Sequence, residues 1–553
     1  MAQTYDFIIV GAGSAGCVLA DRLTASGRHQ VLLVEAGGSD RRAWIKVPVG
    51  YAYTFADPAV NWRYTTEADP GLDGREGYWP RGKVIGGSSS INAMAYVRGL
   101  PHDFDDWETA GAKGWNWETV KARFDALECN LESGAQKQTA QRGTGPVVVS
   151  SLQDRMNPFT RHFLSAAEEM GWPVSHNMNA APDNADDSQF GEGLTYVRST
   201  VKGGLRWSAA DAFLRPALKR PNLTVIRKAQ VERILLNGKR ATGIRYRHKG
   251  RTEDARAARD VILSAGAVNS PQLLMLSGIG HEADLKPHGI ALHHALPAVG
   301  KGLQDHLAVS HLFRATEDTL NAKLGTFPGK AVAALQFALA RRGPLSVPVN
   351  QCSGFARTRG ANRADVQVYC NPASYGTLPN GKPYMDRDNG YLLCVQPCRP
   401  TSRGEISLRS ADPTTAPVIK PNSLATEEDR ATAIRASRLL QDLAMTPALQ
   451  AVTRDRCAPD IVGMDDDALL ENFRTRAGTV FHPTCTCRMG DDPNTSVVDS
   501  RLRVHGLSGL RVIDASAFPN ITSGNTNAPT LMLADKAADM VLEDTQTLAQ
   551  AAE

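Results

Sequence analysis

The sequence predicts an α/β protein, α+β overall, with a Rossmann-like dinucleotide-binding unit at its start. Three observations carry that reading. YDFIIV (5–10) is an apolar run with no polar alternation after Asp6, as in a strand buried on both faces. GAGSAG (11–16) follows and opens CVLADRLTASG, where Val18, Leu19 and Leu23 have helical spacing. HQVLLVEAGG then gives a second buried strand closed by Glu35.

Gly11, Gly13 and Gly16 form G-x-G-x-x-G between that strand and helix. Gly11 permits the tight turn, Gly13 lets the backbone approach a pyrophosphate, and Gly16 allows close helix–strand packing. The helix start, with Ser14 and Ala15, offers free N–H groups and a positive partial charge to phosphates. Glu35, with Ala36 beside it, is placed to accept hydrogen bonds from a ribose. The motif alone does not separate FAD from NAD. Its place at the start of the chain, with EAGG around the acid, leans to FAD.

Further along, strand-like runs recur at 222–236, 241–248 and 260–267, and RGEISLR (403–409) alternates as a half-exposed strand should. Helical spacing marks 427–444, where Ile434, Leu439, Leu440 and Leu443 share one side. Polar, glycine-rich stretches at 133–146 and 177–193 read as loops. So does 371–390, a long loop with Tyr375 and Tyr384 that has the length of a lid.

A second glycine cluster lies in WPRGKVIGGSSSINAMAYVRG (79–99). Its glycines and three consecutive serines make a poor core but offer N–H groups and hydroxyls to a polar ligand, and Ile91, Ala93 and Met94 continue it inward. Four separated blocks now come together: GAGSAG; PRGKVIGGSSSINAM (80–94); AGAVNSPQLLMLSGIG (265–280); and the C-terminal pair FHPTCTCRMG (481–490) and VIDASAFPNITSGNTNAPTLM (512–532). By these blocks the chain resembles the glucose–methanol–choline (GMC) oxidoreductases, in particular the bacterial FAD-dependent alcohol, choline and sorbose dehydrogenase-like branch. The resemblance implies an FAD-binding domain assembled from 1–155, 222–312 and 480–545. A substrate-binding domain, an antiparallel sheet backed by helices, would be inserted as 156–221 and 313–479. It further implies that Val84, Gly86, Asn92, Ala93 and Met94 line the flavin, that Val231 lies beside the adenine and that Ala265 lies near the adenosine. Some relatives bond the flavin covalently through a histidine just before that asparagine. Here the position is Ile91, which has no nucleophile, so a non-covalent FAD is expected.

GNTNAPTLMLADKAADMV (524–541) reads as a loop feeding a helix, with Pro529 suited to its first turn. A helix start aimed at a reduced flavin stabilises negative charge there. By resemblance Asp514, Ala515, Asn525 and Thr526 contact the flavin and Asn527 faces the substrate. Oxidising an alcohol needs a base for the hydroxyl proton, and a neutral imidazole has the appropriate pKa. His482 and Asn527 match the family's histidine–asparagine pair. The expected reaction is oxidation of a primary alcohol to the aldehyde by hydride transfer to flavin N5. Electrons would pass to a non-oxygen acceptor such as a quinone, cytochrome or dye. An oxidase using O2 and a non-redox, FAD-containing lyase are the alternatives.

FHPTCTCRMG also invites other chemistry. Cys485-x-Cys487 with His482 lacks the usual metal-ligand spacing and has no second cluster, so no metal site is expected. A strained dithiol and a cysteine nucleophile find no further support, and both cysteines read as packing residues. His306 in GLQDH reads as lying near the flavin domain's surface. The stretch 311–400 has few aromatics, which argues against a tight aromatic cage for a quaternary ammonium. The charge of +4, from 62 basic and 58 acidic residues, gives no reason to expect a nucleic-acid partner. Nine scattered cysteines do not make a disulfide framework. No apolar run is long enough for a membrane span. The expected protein is cytoplasmic, with peripheral membrane attachment left open.

Overall fold

YDFIIV and VLLVE have no polar alternation because both strands lie in the middle of a sheet covered on two faces. In the computed structural model, which describes residues 3–132, 141–175, 177–180, 189–377 and 383–550, they are β1 (Thr4–Val10) and β2 (Val31–Glu35). Helix α1 (Ser14–Thr24) connects them. The sheet is completed by β3 (Leu223–Arg227), β4 (Ala229–Asn237), β5 (Arg240–His248) and β6 (Arg251–Leu263). The order is β3-β2-β1-β6-β5-β4, and the short strand Leu510–Val512 also pairs with β6. The strands β3, β2, β1, β6 and Leu510–Val512 run parallel, whereas β4, β5 and β6 form an antiparallel meander. The predicted run 222–236 is two strands, because Lys228 between them takes a φ of 56° and breaks the extended chain. Helix α2 (Gly266–Leu276) leaves the end of β6.

A second, mostly antiparallel sheet is built on β7 (Leu307–Ala315). After it come α3 (Phe327–Ala340), β8 (Cys352–Ala356), β9 (Val366–Asn371) and β10 (Gly390–Pro397). The sheet order runs Thr453–Arg456, β7, β10, β9, β8, Leu194–Tyr196 and Val174–Ser175. Helix α4 (Glu427–Ala444) covers one face, burying Ala433, Ala436, Leu440 and Leu443 against it. Thr426 caps α4, accepting from the Asp429 N–H, and three acids fill its first turn.

Two features lie across the expected domain boundaries. Strand β7 is continuous through residue 312, so a cut there divides one strand of the second sheet. Residues Ala210–Leu214, expected with the substrate domain, are buried in the same core as α1 and β1. Position along the chain did not reveal this, because short apolar runs carry no address. The stretch 371–390 is partly a hairpin, Tyr375–Thr377 with Pro383–Met385, and its centre lies outside the described residues. Much of 133–146 and 177–193 lies outside them as well.

The C-terminal helix α5 (Asn527–Gln550) packs along α1, and charges fix the pair. Arg22 of α1 reaches Asp535 and Asp539 of α5, and Arg123 reaches the same two carboxylates. The starts of α1 and α5 meet as a result, and Ser14 Oγ donates to Asn527 Oδ1 at 2.8 Å. The second glycine cluster arrives at the same place. Gly87 has a φ of 52°, and a Cβ there would stand 2.6 Å from Gly13 Cα, so the two glycine loops touch backbone to backbone. At Gly16 a Cβ would stand 1.9 Å from the Gly11 carbonyl oxygen.

These contacts separate two glycines of one motif. Gly16→Ala should destabilise the cofactor-free protein by roughly 1–3 kcal/mol, read as a lower thermal unfolding temperature. Gly13→Ala, whose Cβ finds nothing nearer than 3.9 Å, should unfold with the parent protein. Equal unfolding temperatures for all three proteins would contradict the close-packing role of Gly16.

Candidate active site

Between the two sheets lies a cavity of about 1530 Å³. Small-molecule pockets usually span roughly 300–1,000 Å³, so there is room for a dinucleotide and a further ligand. One end is the predicted cradle. Gly11, Gly13, Ser14, Ala15, Glu35, Ala36, Val231 and Ala265 line it. Gly13 is the N-cap of α1 and no side chain caps that helix, which leaves its first N–H groups available to an anion. Glu35 is buried, and its carboxylate accepts from Ala12 N at 2.8 Å and Gly37 N at 2.7 Å. Burial pushes its pKa up to about 7, against the pull of those two N–H groups.

Asn92, Ala93, Met94, Asp514, Ala515, Asn525, Thr526 and Asn527 line the middle of the cavity. The Asn92 side chain shapes its own loop, with Oδ1 accepting from Met94 N at 3.1 Å and from Arg206 Nη1 at 2.7 Å. Met94 is held at a φ of 64°. Asp514 is buried and ties α2 to the loop before α5. It accepts from Gly266 N and Ser270 Oγ on one oxygen, and from Ser516 N and Oγ on the other.

Gly16, Val84 and Gly86 are not among the residues that line the cavity. Gly16 is inside the α1 packing. Val84 packs with Ile45, Val60 and Ile91. At Gly86 a Cβ would meet Ser90 Oγ at 2.2 Å. Small or apolar residues beside a ligand motif support the wall as readily as they line it. Ile91 does line the cavity and supplies no nucleophile.

His482 closes the far end, buried to 7% exposure. Its surroundings differ from expectation in two ways. Asn525, not Asn527, faces the imidazole: Asn525 Nδ2 lies 3.1 Å from His482 Nε2. Asn527 is the first residue of α5, and its side chain turns to Ser14. The motif N-T-N offers two amides two positions apart, and only the turn of the helix start decides which one points at the histidine.

The second difference is His306, expected near the surface. It is fully buried, and its Nδ1 lies 3.0 Å from His482 Nδ1. Its Nε2 lies 2.7 Å from the Cys398 carbonyl oxygen. A carbonyl oxygen only accepts, so His306 Nε2 carries a proton. Burial lowers the His306 pKa to about 4, so the ring is neutral and its Nδ1 is a bare acceptor. His482 Nδ1 must then be the donor, which leaves His482 Nε2 with its lone pair towards Asn525 and the cavity. The neighbouring Asp305 accepts the His482 backbone N–H at 2.7 Å and a hydroxyl from Thr479, and burial pushes its pKa up to about 6. The adjacent acid and histidine in GLQDH were the available sequence signal, since together they hold the backbone and the ring of one residue.

Burial, His306 and then Arg81 hold the His482 pKa well below its ordinary 6.5. Arg81 donates to the Phe481 carbonyl at 2.6 Å. Cys485 and Cys487 are buried, and Cys485 Sγ contacts Gln304 and Thr484. No cluster of three potential metal-ligating side chains occurs among the described residues. The outer part of the cavity is more aromatic than 311–400 suggested. Tyr51, Tyr53 and Phe55 from the N-terminal segment join Tyr369, Tyr375, Tyr384 and Phe481. Among the described lining residues only Glu35 and Asp514 are acidic, and both belong to the dinucleotide side.

The fit to FAD rests on the uncapped α1 start, the ribose-side carboxylate, the volume, and Asn525 Oδ1, which is buried with no hydrogen-bond partner. Comparison with known proteins agrees. Family models described as GMC oxidoreductase match residues 5–308 and 400–534. The chain is 39% identical over 542 residues to an alcohol dehydrogenase [acceptor] of Pseudomonas putida, covering 97% of this chain and 96% of that one. It is 39% identical over 549 residues to an oxygen-dependent choline dehydrogenase of Photobacterium profundum, covering 99% and 94%. The fold superposes on formate oxidase from Aspergillus oryzae RIB40 with a TM-score of 0.88 at 26% identity, covering 99% of each chain. The chain therefore belongs to the GMC oxidoreductases and, as in that family, its cofactor is FAD.

Proposed function

We propose that the protein oxidises a neutral primary alcohol to the aldehyde, with His482 as the base and Asn525 as its partner. The observation that carries this reading is the His306–His482–Asn525 chain, which ends in a lone pair facing the cavity. FAD, when bound, supplies the hydride acceptor. An alcohol entering the site would give its hydroxyl proton to His482 Nε2, while the Asn525 amide turns from the imidazole to the alcohol oxygen. His482 Nδ1 keeps donating to His306 throughout, so the ring neither rotates nor changes tautomer. Burial and Arg81 disfavour the imidazolium and favour release of its proton to solvent once the aldehyde has formed. The start of α5 would present Asn527, and Thr526 just before it, to the cofactor side.

The substrate class follows from charge. Relatives include both alcohol and choline dehydrogenases. Arg81, Arg476 and Lys330 line the substrate side of this cavity; Asp305, behind the lining, is the carboxylate near Arg81, and among the described residues no carboxylate lines that side. A quaternary ammonium would meet aromatic rings without a counter-ion, whereas an aliphatic or aryl alcohol would meet no unpaired charge of its own. The relative named for an unspecified acceptor favours a non-oxygen acceptor such as a quinone, cytochrome or dye. An anaerobic panel of alcohols scored by flavin bleaching should place hexanol or benzyl alcohol well ahead of choline. Slow reoxidation in air, without stoichiometric peroxide, is expected. Preferential bleaching by choline would overturn the substrate class, and rapid reoxidation with peroxide would overturn the acceptor.

His482→Ala should keep bound FAD and lose roughly 10²–10⁴ in the rate of reduction. In the parent protein the neutral ring is the active form and its pKa is depressed. The acid limb of kcat/KM should therefore lie below the ordinary 6.5 and the profile should be flat through neutrality. An acid limb above 6.5 would contradict the depressed base.

The two amides should part company. Asn525→Ala should lower the reductive rate about a hundredfold with FAD retained, by analogy with loss of one preorganised donor. Asn527→Ala should act mainly on FAD retention, through the lost contact with Ser14. The reverse pattern would return Asn527 to the substrate side.

His306 is a positioning residue. His306→Asn can keep an acceptor for His482 Nδ1–H, whereas His306→Leu cannot. The asparagine variant should retain at least about tenfold more of kcat, the size expected when a tautomer is freed. Equal losses would reduce His306 to packing.

A further inference from the structure

Helix α3 has an unusual face. Its sequence FPGKAVAALQFALA is apolar except for Lys330 and Gln336, yet only Ala333 and Phe337 are buried. Phe327, Val332, Leu335 and Leu339 are 85%, 55%, 59% and 79% exposed. Val332, Leu335 and Leu339 stand at i, i+3 and i+7, so they form one stripe along the helix. Exposed apolar residues scattered singly need no explanation, but a continuous stripe does.

The surroundings of the stripe say what covers it. Lys323 and Lys330 lie at its start, Arg341 and Arg342 at its end, and all four are exposed. From Thr319 to Ala364 the chain carries seven basic residues and no acidic one. Asp386, on the adjoining loop, is already paired with Arg314 at 2.9 Å. The patch also continues into aromatics that are half exposed: Trp44 and Tyr53, whose rings meet tilted with centroids 4.4 Å apart, and Tyr384. Those three, with Lys330 and Ala334 of α3, also line the cavity that holds His482. The patch is therefore the rim of the active-site mouth.

We propose that α3 docks this rim onto an anionic lipid bilayer, with the mouth facing the membrane interface. An apolar stripe flanked by lysine and arginine is the pattern of a helix lying in the interface, and tryptophan and tyrosine favour the same depth. At 1.5 Å per residue the 14-residue helix is about 21 Å long, too short to cross a bilayer core of roughly 30 Å. No helix among the described residues is long and apolar enough to span a membrane. A second copy of the chain is the competing occupant, and charge disfavours it. An antiparallel two-fold contact through α3 would set Lys330 of one copy against Arg341 and Arg342 of the other with no acid on the helix to pair them. An anionic lipid surface supplies that charge. The proposal does not depend on which alcohol is oxidised.

The test is sedimentation of the FAD-loaded protein with vesicles of phosphatidylcholine alone and of phosphatidylcholine with phosphatidylglycerol. Binding to the anionic vesicles is expected, together with release by salt as the screening length shrinks below about 8 Å. Lys330→Gln, Arg341→Gln and Arg342→Gln together should weaken partitioning about a hundredfold. Leu335→Glu with Leu339→Glu should weaken it at least about tenfold. Neither leucine lines the cavity, so flavin content and unfolding temperature in that pair should match the parent and exclude misfolding. No binding to anionic vesicles, or binding that the leucine pair leaves unchanged, would overturn the proposal. So would a dimer in light scattering that the leucine pair dissolves, since that would make α3 a contact between copies.

Discussion

A carbonyl oxygen can accept a hydrogen bond and cannot donate one, and at Cys398 that constraint sets the protonation of the whole histidine pair. His306 must offer its Nε2–H to the carbonyl, its Nδ1 must accept, and His482 must donate from Nδ1. The lone pair left on His482 Nε2 is then fixed in direction by bonds that do not touch the substrate. Burial contributes in the same sense, because a charged ring in either histidine would have to be desolvated. The order of the chain follows from elementary donor and acceptor chemistry, and in the proposed function the rest of the site delivers a substrate to its end.

Both sheets are needed for that delivery. Cys398 follows β10 and His306 precedes β7, neighbouring strands of the second sheet. His482 and Asn525 come from the C-terminal segments that close over the first. The cradle for FAD is made where α1 and α5 begin together, held by the two arginine–aspartate clamps and by the contact of Gly13 with Gly87. The helix starts that favour a phosphate and a reduced flavin lie on one side of the cavity, and the imidazole closes the other. The cationic, aromatic rim at α3 opens from the same space, so substrate access and the surface chemistry of the rim belong to one feature of the fold.

Much of this was legible in the sequence, for physical reasons that can be named. YDFIIV-GAGSAG reads clearly because a doubly covered parallel strand and a phosphate-binding turn both restrict residue type severely. Helix 427–444 reads from its apolar period, and the Thr426 cap and acidic first turn found in the structure agree with it. His482 stood out because a base is needed and few side chains can serve. Other features were hidden. Asn525 and Asn527 are indistinguishable until the helix start fixes which amide points inward. His306 looked peripheral because its burial depends on a strand much further along the chain. The aromatic rim is split between 44–55 and 369–384, and no window of sequence contains it. Cys485 and Cys487 are buried beside Gln304, Thr484 and Ser516.

The most direct test of the account is neutron diffraction from crystals of the protein exchanged into deuterated solvent at neutral pH. The account predicts deuterium on His306 Nε2 and on His482 Nδ1, with none on His482 Nε2. Deuterium on His482 Nε2, with Nδ1 bare, would reverse the chain and remove His482 from the role of base.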